Sequence, residues 1–398
     1  MSAAHNSPIP LEEAQARLLA LVTPLPVERV DVSSALGRYL AEPLNARRTQ
    51  PAADLSAMDG YAVKGPQLSG PWQLVGESAA GHPFAGTVAA GQAVRIATGA
   101  LLPTGGDAVV LQEDVVRDGD TITLTGTPPS PPAKHVRHCG NDFRRDSELL
   151  PKGARIGPAQ LALAISAGHN HLAVRRLPRI AIIDSGDELA ADPEICAAHQ
   201  IPASNGAMLA ALIAALTCEI RRLGPISDDL DAITKALEAA AWADIIVTTG
   251  GASVGDHDLI RPALAAWGAT LDFWKVAIKP GKPLLVATKG GQIVLGLPGN
   301  PVSSYTTAYL FLMPLIRAIS GADTPLPQAI IQRLATPVPA GGSRREFMRA
   351  RLTKAGAEIL TTQDSGALAA LAVADLLIDR PAGAQALPAG ADVPAYFI

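Results

Sequence analysis

Ile180-Ala181-Ile182-Ile183-Asp184-Ser185-Gly186-Asp187-Glu188 decides how this chain folds. Four consecutive apolar residues leave no polar side, which is how a strand reads when both of its faces are covered. The Asp-Ser-Gly stop then puts a polar loop directly at the strand's carboxyl end. Downstream the same grammar repeats. Asn205 caps an apolar helix through Leu216, Cys218 to Leu223 is the next strand, and Asp228 is placed to cap Leu230 to Ala241. Ala243 to Thr248 reads as a strand, and His257 to Trp267 as helix. Leu271 to Ile278, Leu284 to Ala287 and Ile293 to Leu297 read as strands, and Val302 to Ile319 as a long closing helix. This alternation predicts a multidomain α/β protein centred on a doubly wound, mainly parallel sheet.

The flanks have a different character. Leu11 to Leu21 has helical periodicity, and Ser33 to Leu40 a second, shorter helical stretch. From Pro51 to His138 the chain is rich in Gly, Pro, Val and Thr, with strand-like pieces at Trp72 to Val75, Ala108 to Leu111 and Thr121 to Leu124, as expected of an inserted β-rich domain. Gly157 to Ala167 resumes a helix. After Asp323 to Pro327 the short strands Ile330 to Leu334, Glu346 to Leu352 and Glu358 to Thr361 suggest a small β-barrel or sandwich. The expected domains are therefore 1–50 with 140–177 (mixed, discontinuous), 51–139 (inserted), 178–324 (α/β) and 325–398 (C-terminal barrel).

With 398 residues the chain exceeds one ordinary hydrophobic core, and 48% apolar with 18% charged residues marks a globular protein. A net charge of −4 supplies no basic field for general nucleic-acid binding. Met1 to Pro10 lacks the features of a secretory signal, and no apolar run is long enough to span a bilayer, so a cytoplasmic protein without membrane contact is expected. Cys139, Cys196 and Cys218 fit neither a disulfide framework nor zinc spacing, and read as buried reduced thiols.

Chemistry belongs beyond the carboxyl ends of the parallel strands. Three polar loops stand there: Asp184 to Glu188, Thr249 to Asp258, and Gly296 to Ser303. In the second, Gly250, Gly251 and Gly255 let backbone amides approach an anion, with Ser253 beside them and Asp256 and Asp258 bringing carboxylates. In the third, Asn300 as N-cap and Pro301 at the first helical position prepare a helix start of the kind that binds anions. Lys275 and Lys279 flank Val276-Ala277-Ile278, and on one strand they would project to one face about 13 Å apart. Lys282 adds another positive charge. Carboxylates at Asp187, Glu188, Asp256 and Asp258 near such lysines suit Mg²⁺ between protein and phosphate; surface ion pairs are the plainer alternative. From the residues alone, Ser56 to Val63 reads as a turn entering a strand, and Thr98-Gly99-Ala100 as turn chemistry. The arginines of Arg344 to Arg351 read as a solvated edge or, more sharply, as a phosphate-recognising stripe.

Ser56 to Val63, Ala97 to Ala100 with Gly106 to Val110, Gly186 to Leu189, Thr249 to Asp258, Lys279 to Pro283 and Gly296 to Ser303 stand in an order that resembles the molybdopterin molybdenumtransferases. These are the MoeA-type enzymes of molybdenum-cofactor synthesis, related to the gephyrin E domain. The resemblance runs from Leu11 to the C-terminus. It implies four domains with a MogA-like α/β centre, and a homodimer whose cleft is shared between subunits. It implies Mg²⁺-dependent conversion of adenylylated molybdopterin and molybdate to AMP and molybdenum cofactor, with transient contacts to other proteins of that synthesis. By position it assigns catalytic carboxylates Asp59, Asp142, Glu188 and Asp258; taken with the carboxylate reading above, metal is expected at Glu188, Asp256 and Asp258. Substrate contacts would come from Thr98, Asp228, Lys275 and Lys279, and a molybdate pocket from Pro298, Asn300, Pro301, Arg349 and Ser365. Three departures stand out: Ser185 where Thr is more usual, Ala53 and Leu55 where an aromatic and a polar residue are more usual before Ser56, and alanines within Ala367 to Ala370 where serines often occur. Two other readings remain open, the adenylyltransferase that acts before this step and a scaffold with an idle cleft.

Overall fold

The structure, a computed structural model, describes residues 7–65, 68–250 and 259–398. Helix α1 (Leu11–Ala20) opens the chain and buries Leu11, Ala14 and Leu18 against the core of the α/β sheet. Val27–Asp31 pairs antiparallel with His171–Arg175, so the stretches before and after the inserted residues meet. They share a small core of Val32, Leu40, Leu44, Ile156, Leu172 and Val174, closed by helix α2 (Pro158–Ser166). The helix expected over Ser33 to Leu40 does not form. Only a single 3₁₀ turn, Val32–Ala35, is present. Gly37 then takes φ +80°, which ends the turn, and Tyr39 and Leu40 make β-bridges instead.

The insert is a six-stranded sheet of short strands whose central pairs bury Tyr61, Val63, Ala93 and Val110. The C-terminal unit is a second all-β arrangement. Arg345–Thr353, Leu376–Arg380 and Asp392–Phe397 lie side by side over a core that includes Ala350, Leu376, Ile378 and Val393.

Between them lies the sheet that carries the cleft. Its strands are β1 (Arg179–Ser185), β2 (Glu219–Ile226), β3 (Ile245–Thr249), β4 (Thr270–Lys275), β5 (Pro283–Lys289) and β6 (Gln292–Leu297), in the order β2-β1-β3-β6-β5-β4. The first four in that order run parallel; β5 runs antiparallel to β6, and the edge strand β4 runs antiparallel to β5 and so in the same direction as the first four. Because side chains alternate across a strand, Ile180 and Ile182 enter one core with Leu209 and Ile213 of helix α3 (Asn205–Ala214). Ala181 and Ile183 enter the opposite core with Ile233 and Leu237 of α4 (Leu230–Ala239) and Leu264 of α5 (Ile260–Ala266). Both faces are covered, as the unbroken apolar run of β1 requires. Burying one such Ile or Leu is worth about 1.5–3 kcal/mol.

The closing helix is one continuous rod in three parts: α6 (Pro301–Thr307), a π-helical stretch Ala308–Leu312, and α7 (Met313–Ile319). Pro314 has no N–H for the carbonyl of Leu310, four residues earlier. That carbonyl instead accepts a buried hydrogen bond from Nε2 of Gln15 in α1, at 2.9 Å.

Two expected caps are corrected. Asp229, not Asp228, caps α4, its carboxylate accepting the Ala232 N–H at 2.9 Å. Ser204 holds the cap position of α3, so Asn205 lies inside the first turn, where its side chain is available for other partners. All three cysteines are free. Against expectation, none is fully buried: Cys196 is exposed and Cys139 and Cys218 are partly buried, and desolvation pushes the Cys218 thiol up to about 11.

Candidate functional site

The carboxyl ends of β1, β3 and β6 lie side by side, and their loops touch backbone to backbone. Gly250 has φ +95°, and a Cβ there would stand 2.1 Å from the carbonyl oxygen of Ser185, so any side chain would force two strand ends apart. Gly299 closes over the same point, 3.6 Å from the Gly250 Cα to where its own Cβ would be. A cavity of about 550 Å³ opens above these ends. Glu188, Asn205, Thr249 and Asn300 line it, and Gly366 and Leu368 reach in from the C-terminal unit.

Asp184 forms the floor, only 2% exposed. Its Oδ1 accepts the Gly206 N–H at 2.9 Å, and Arg222 Nη2 lies 3.8 Å from its Oδ2. Burial raises its pKa, against the opposing pull of Arg222 and of that N–H. Gly206 is required here, since a Cβ would meet Asp184 Oδ2 at 2.1 Å. Next to it, Asn205 Nδ2 donates to Thr249 Oγ1 at 2.8 Å and to the Gly299 carbonyl at 2.6 Å. The exposed Glu188 carboxylate lies over Gly186, its Oε2 2.6 Å from where a Cβ would be.

The third loop is joined to the C-terminal unit. Asn300 stands at the cap position of α6, yet its side chain leaves the helix N–H groups alone and donates to Ser365 Oγ at 2.9 Å. The Val302 N–H donates to the Ser365 carbonyl at 3.0 Å. Arg349, 1% exposed, fixes the same segment from behind: its Nη2 donates to the carbonyls of Thr362 and Asp364 at 2.8 and 2.9 Å. Burial lowers the Arg349 pKa and Asp364 offsets part of that, leaving a guanidinium charged at neutral pH. Pro298, Asn300, Pro301, Arg349 and Ser365 are thus brought into one neighbourhood.

The two lysines do not share a strand. β4 ends at Lys275, whereas Ile278–Lys279 pairs with Arg345 and Glu346 in the C-terminal sheet. Between them the backbone is taken up by Ile9, which bridges Val276. Lys275 Nζ lies 4.1 Å from the centre of the Trp274 ring, with Arg261 at 4.2 Å from the same ring. Desolvation lowers the Lys275 pKa, and the nearby charges of Lys282 and Arg261 lower it further. Lys279 pairs with Glu346 at 3.1 Å.

Elsewhere in the chain, Asp59 Oδ1 accepts both the N–H and the hydroxyl of Thr98, at 2.6 and 2.9 Å. The backbone bond from Thr98, then its hydroxyl, hold the carboxyl below the usual range. Asp142 is exposed, and its N–H donates to the Gln50 carbonyl at 3.1 Å. No hydrogen bond or ion pair among the described residues joins Asp59, Thr98 or Asp142 to the strand-end cleft. The Asp228 N–H donates to Asp187 Oδ1 at 3.0 Å, so Asp228 sits beside the first loop. Gly251, Ser253, Gly255, Asp256 and Asp258 lie outside the described residues. Among the described residues no group of three or more His, Cys, Asp or Glu could hold a metal ion. Glu188 offers one exposed hard oxygen donor; the other two carboxylates expected with it lie in that same outside stretch.

In the sequence Asp184 belongs to the first of the polar strand-end loops but carries no individual role there, and Asn205 reads only as a helix cap.

Three family profiles cover most of the chain. "MoeA N-terminal region (domain I and II)" matches residues 9–168, "Probable molybdopterin binding domain" residues 181–318, and "MoeA C-terminal region (domain IV)" residues 332–398. A Haemophilus influenzae protein named molybdopterin molybdenumtransferase is 36% identical over 316 residues, covering 78% of each chain. A Staphylococcus aureus protein of the same name is 32% identical over 397 residues, covering 97% of this chain and 94% of its own. The crystal structure of a molybdopterin biosynthesis moeA protein from Pyrococcus horikoshii superposes with a TM-score of 0.84 at 26% identity, covering 98% of this chain and all of that one (100%).

Proposed function

The chain belongs to the MoeA family of molybdopterin molybdenumtransferases, and from that premise we propose that its strand-end cleft inserts molybdate into adenylylated molybdopterin. In this reading the phosphoanhydride of the adenylate is cleaved, AMP leaves, and molybdenum cofactor is released. The observation that carries it is the meeting of Asn300 with Ser365, 2.9 Å apart, beside a buried Arg349 and above the Gly250 loop. One cleft then offers a cationic oxyanion pocket and a glycine loop suited to phosphate.

Pro298, Asn300, Pro301, Arg349 and Ser365 would hold molybdate. Gly250, Gly251, Ser253 and Gly255, with Lys275 and Lys279, would hold the anionic pterin, Lys279 exchanging Glu346 for substrate. Asp228, beside Asp187, would border the same ligand. Mg²⁺ held by Glu188, Asp256 and Asp258 would supply charge neutralisation at the phosphates. Asp59, Thr98 and Asp142 fit a homodimer in which one protomer lends its insert side to the cleft of its partner, with domains divided near residues 50, 140, 178 and 325. A cytoplasmic location accords with the substrates, and no helix among the described residues is long and apolar enough to cross a membrane.

The test mixes purified protein with adenylylated molybdopterin and Mg²⁺ and follows AMP with and without molybdate. Molybdate-dependent AMP release is expected. AMP release indifferent to molybdate, or adenylylation of free molybdopterin from ATP, would overturn the assignment in favour of the preceding step. Omitting Mg²⁺ in the presence of a chelator tests the metal separately.

A further inference from the structure

We propose that Asn205 is a positioning residue that fixes the distance between the two reactant pockets of this cleft. The inference rests on the function just proposed, and it adds a residue that no part of that reading uses.

The two hydrogen bonds of Asn205 are the basis. A carbonyl oxygen can only accept, so the bond to Gly299 identifies the interacting atom as the amide nitrogen. The same nitrogen reaches Thr249 Oγ1 with its second hydrogen. Thr249 is the last residue of β3 and leads directly into Gly250, the start of the pterin-side loop. Gly299 lies within the turn of Pro298 to Pro301, on the molybdate side. One side-chain amide therefore ties together the two loops that would each hold one reactant.

Its own anchorage is unusually firm. The neighbouring Gly206 N–H is held by the buried Asp184 carboxylate at 2.9 Å, which locks the first turn of α3 to the end of β1. All three strand ends are thereby referenced to a single turn of helix. Bringing two reactants to a fixed separation acts on the rate of their reaction, while each remains bound by its own loop. A residue that sets this separation should change kcat and leave each KM nearly alone. A residue that only stabilises the fold would lower the melting temperature and the fraction of active protein.

The decisive experiment compares wild type with Asn205→Ala, Asn205→Asp and Thr249→Val in the AMP-release assay, alongside hydrogen exchange of the free and molybdate-bound proteins. Asn205→Ala should lower kcat at least ~10-fold, with both KM values within ~3-fold of wild type. Asn205→Asp, which cannot donate to Gly299, should resemble it. Thr249→Val should be milder and non-additive with Asn205→Ala, because both break the same bond. In wild type, molybdate should slow exchange at Gly250 and at Gly299 to Val302 together; in Asn205→Ala only the second group should respond. Unchanged kcat in a wild type that turns over would overturn the proposal, as would loops still protected together without Asn205. A wild type that fails to turn over sinks the functional reading alone, since exchange still reports whether Asn205 couples the loops.

Discussion

Asn300 donates to Ser365 Oγ across 2.9 Å, although 65 residues separate them and Asn300 belongs to a different folding unit. The bond closes the C-terminal segment over the strand-end loops, and the Val302 N–H on the Ser365 carbonyl closes it a second time. Ser365→Ala removes the first link and keeps the second. A hydrogen bond of this kind is worth ~1 kcal/mol, a factor of about five in binding. KM for molybdate should rise by about that factor while KM for the adenylylated pterin stays put. Steady-state kinetics with each substrate varied in turn checks the split; equal rises in both would remove Ser365 from the molybdate side.

Asp59 should be ionised throughout the physiological range. Two donors from Thr98 converge on one carboxylate oxygen, and both favour the charged form, so its pKa lies below the ordinary 3.8. Thr98→Val deletes the hydroxyl and retains the backbone N–H, which is the larger influence. The pKa should then rise part of the way toward 3.8. Carboxyl-carbon NMR titration measures both values. If Asp59 titrates at the same pH in wild type and variant, the hydroxyl is no partner in solution.

The sequence disclosed the frame of this protein because frame and pattern obey the same rule. Ile180 to Ile183 is apolar on both sides since helices cover both sides of β1, and this can be read without coordinates. The loops at the strand ends follow from it. What stayed hidden depends on tertiary geometry. Lys275 and Lys279 look like neighbours on one strand, yet the segment between them is claimed by Ile9 and the C-terminal sheet, which no local pattern announces. Asp184 carries no signal of burial, because a polar residue after an apolar run normally marks the way out to solvent. Ser33 to Leu40 has helical spacing, and Gly37 overrules it because its backbone takes φ +80°. The motif around Asp59 gained meaning only by resemblance, since its physics is that of a turn.

A buried aspartate, Asp184, and a partly buried one, Asp244, should pull the stability of the fold in opposite directions with pH. At Asp244, burial pushes the pKa up, but the paired bonds from Arg176 at 2.7 and 2.8 Å and the Arg179 N–H prevail, and the net shift is downward. Its contribution is present above the unfolded value and lost as pH falls through the folded one, below 3.8. Asp244→Asn should therefore cost about 3 kcal/mol at neutral pH, with the gap narrowing under acid conditions. At Asp184 burial prevails and the pKa is raised, so its penalty is absent below 3.8 and grows as pH rises through the folded value. The stability of Asp184→Asn relative to wild type should accordingly improve with rising pH. Urea unfolding at several pH values reads both slopes, and parallel slopes for the two variants would refute the assignment.

Gln15 should matter to the closing helix far more than a glutamine on a surface helix normally does. Its amide is the buried partner of Leu310, whose carbonyl Pro314 cannot serve. Gln15→Leu keeps the packing volume and leaves that carbonyl without its donor, at a cost of about 1–3 kcal/mol. Pro314→Ala restores an N–H at the position where a regular helix would use it. In that background Gln15→Leu should cost measurably less, because the released carbonyl can pair within the helix. Urea midpoints for the two single variants and the double variant give the coupling directly. Additive costs would mean that the π-helical stretch from Ala308 to Leu312 has another cause than Pro314, and that Gln15 merely fills space against it.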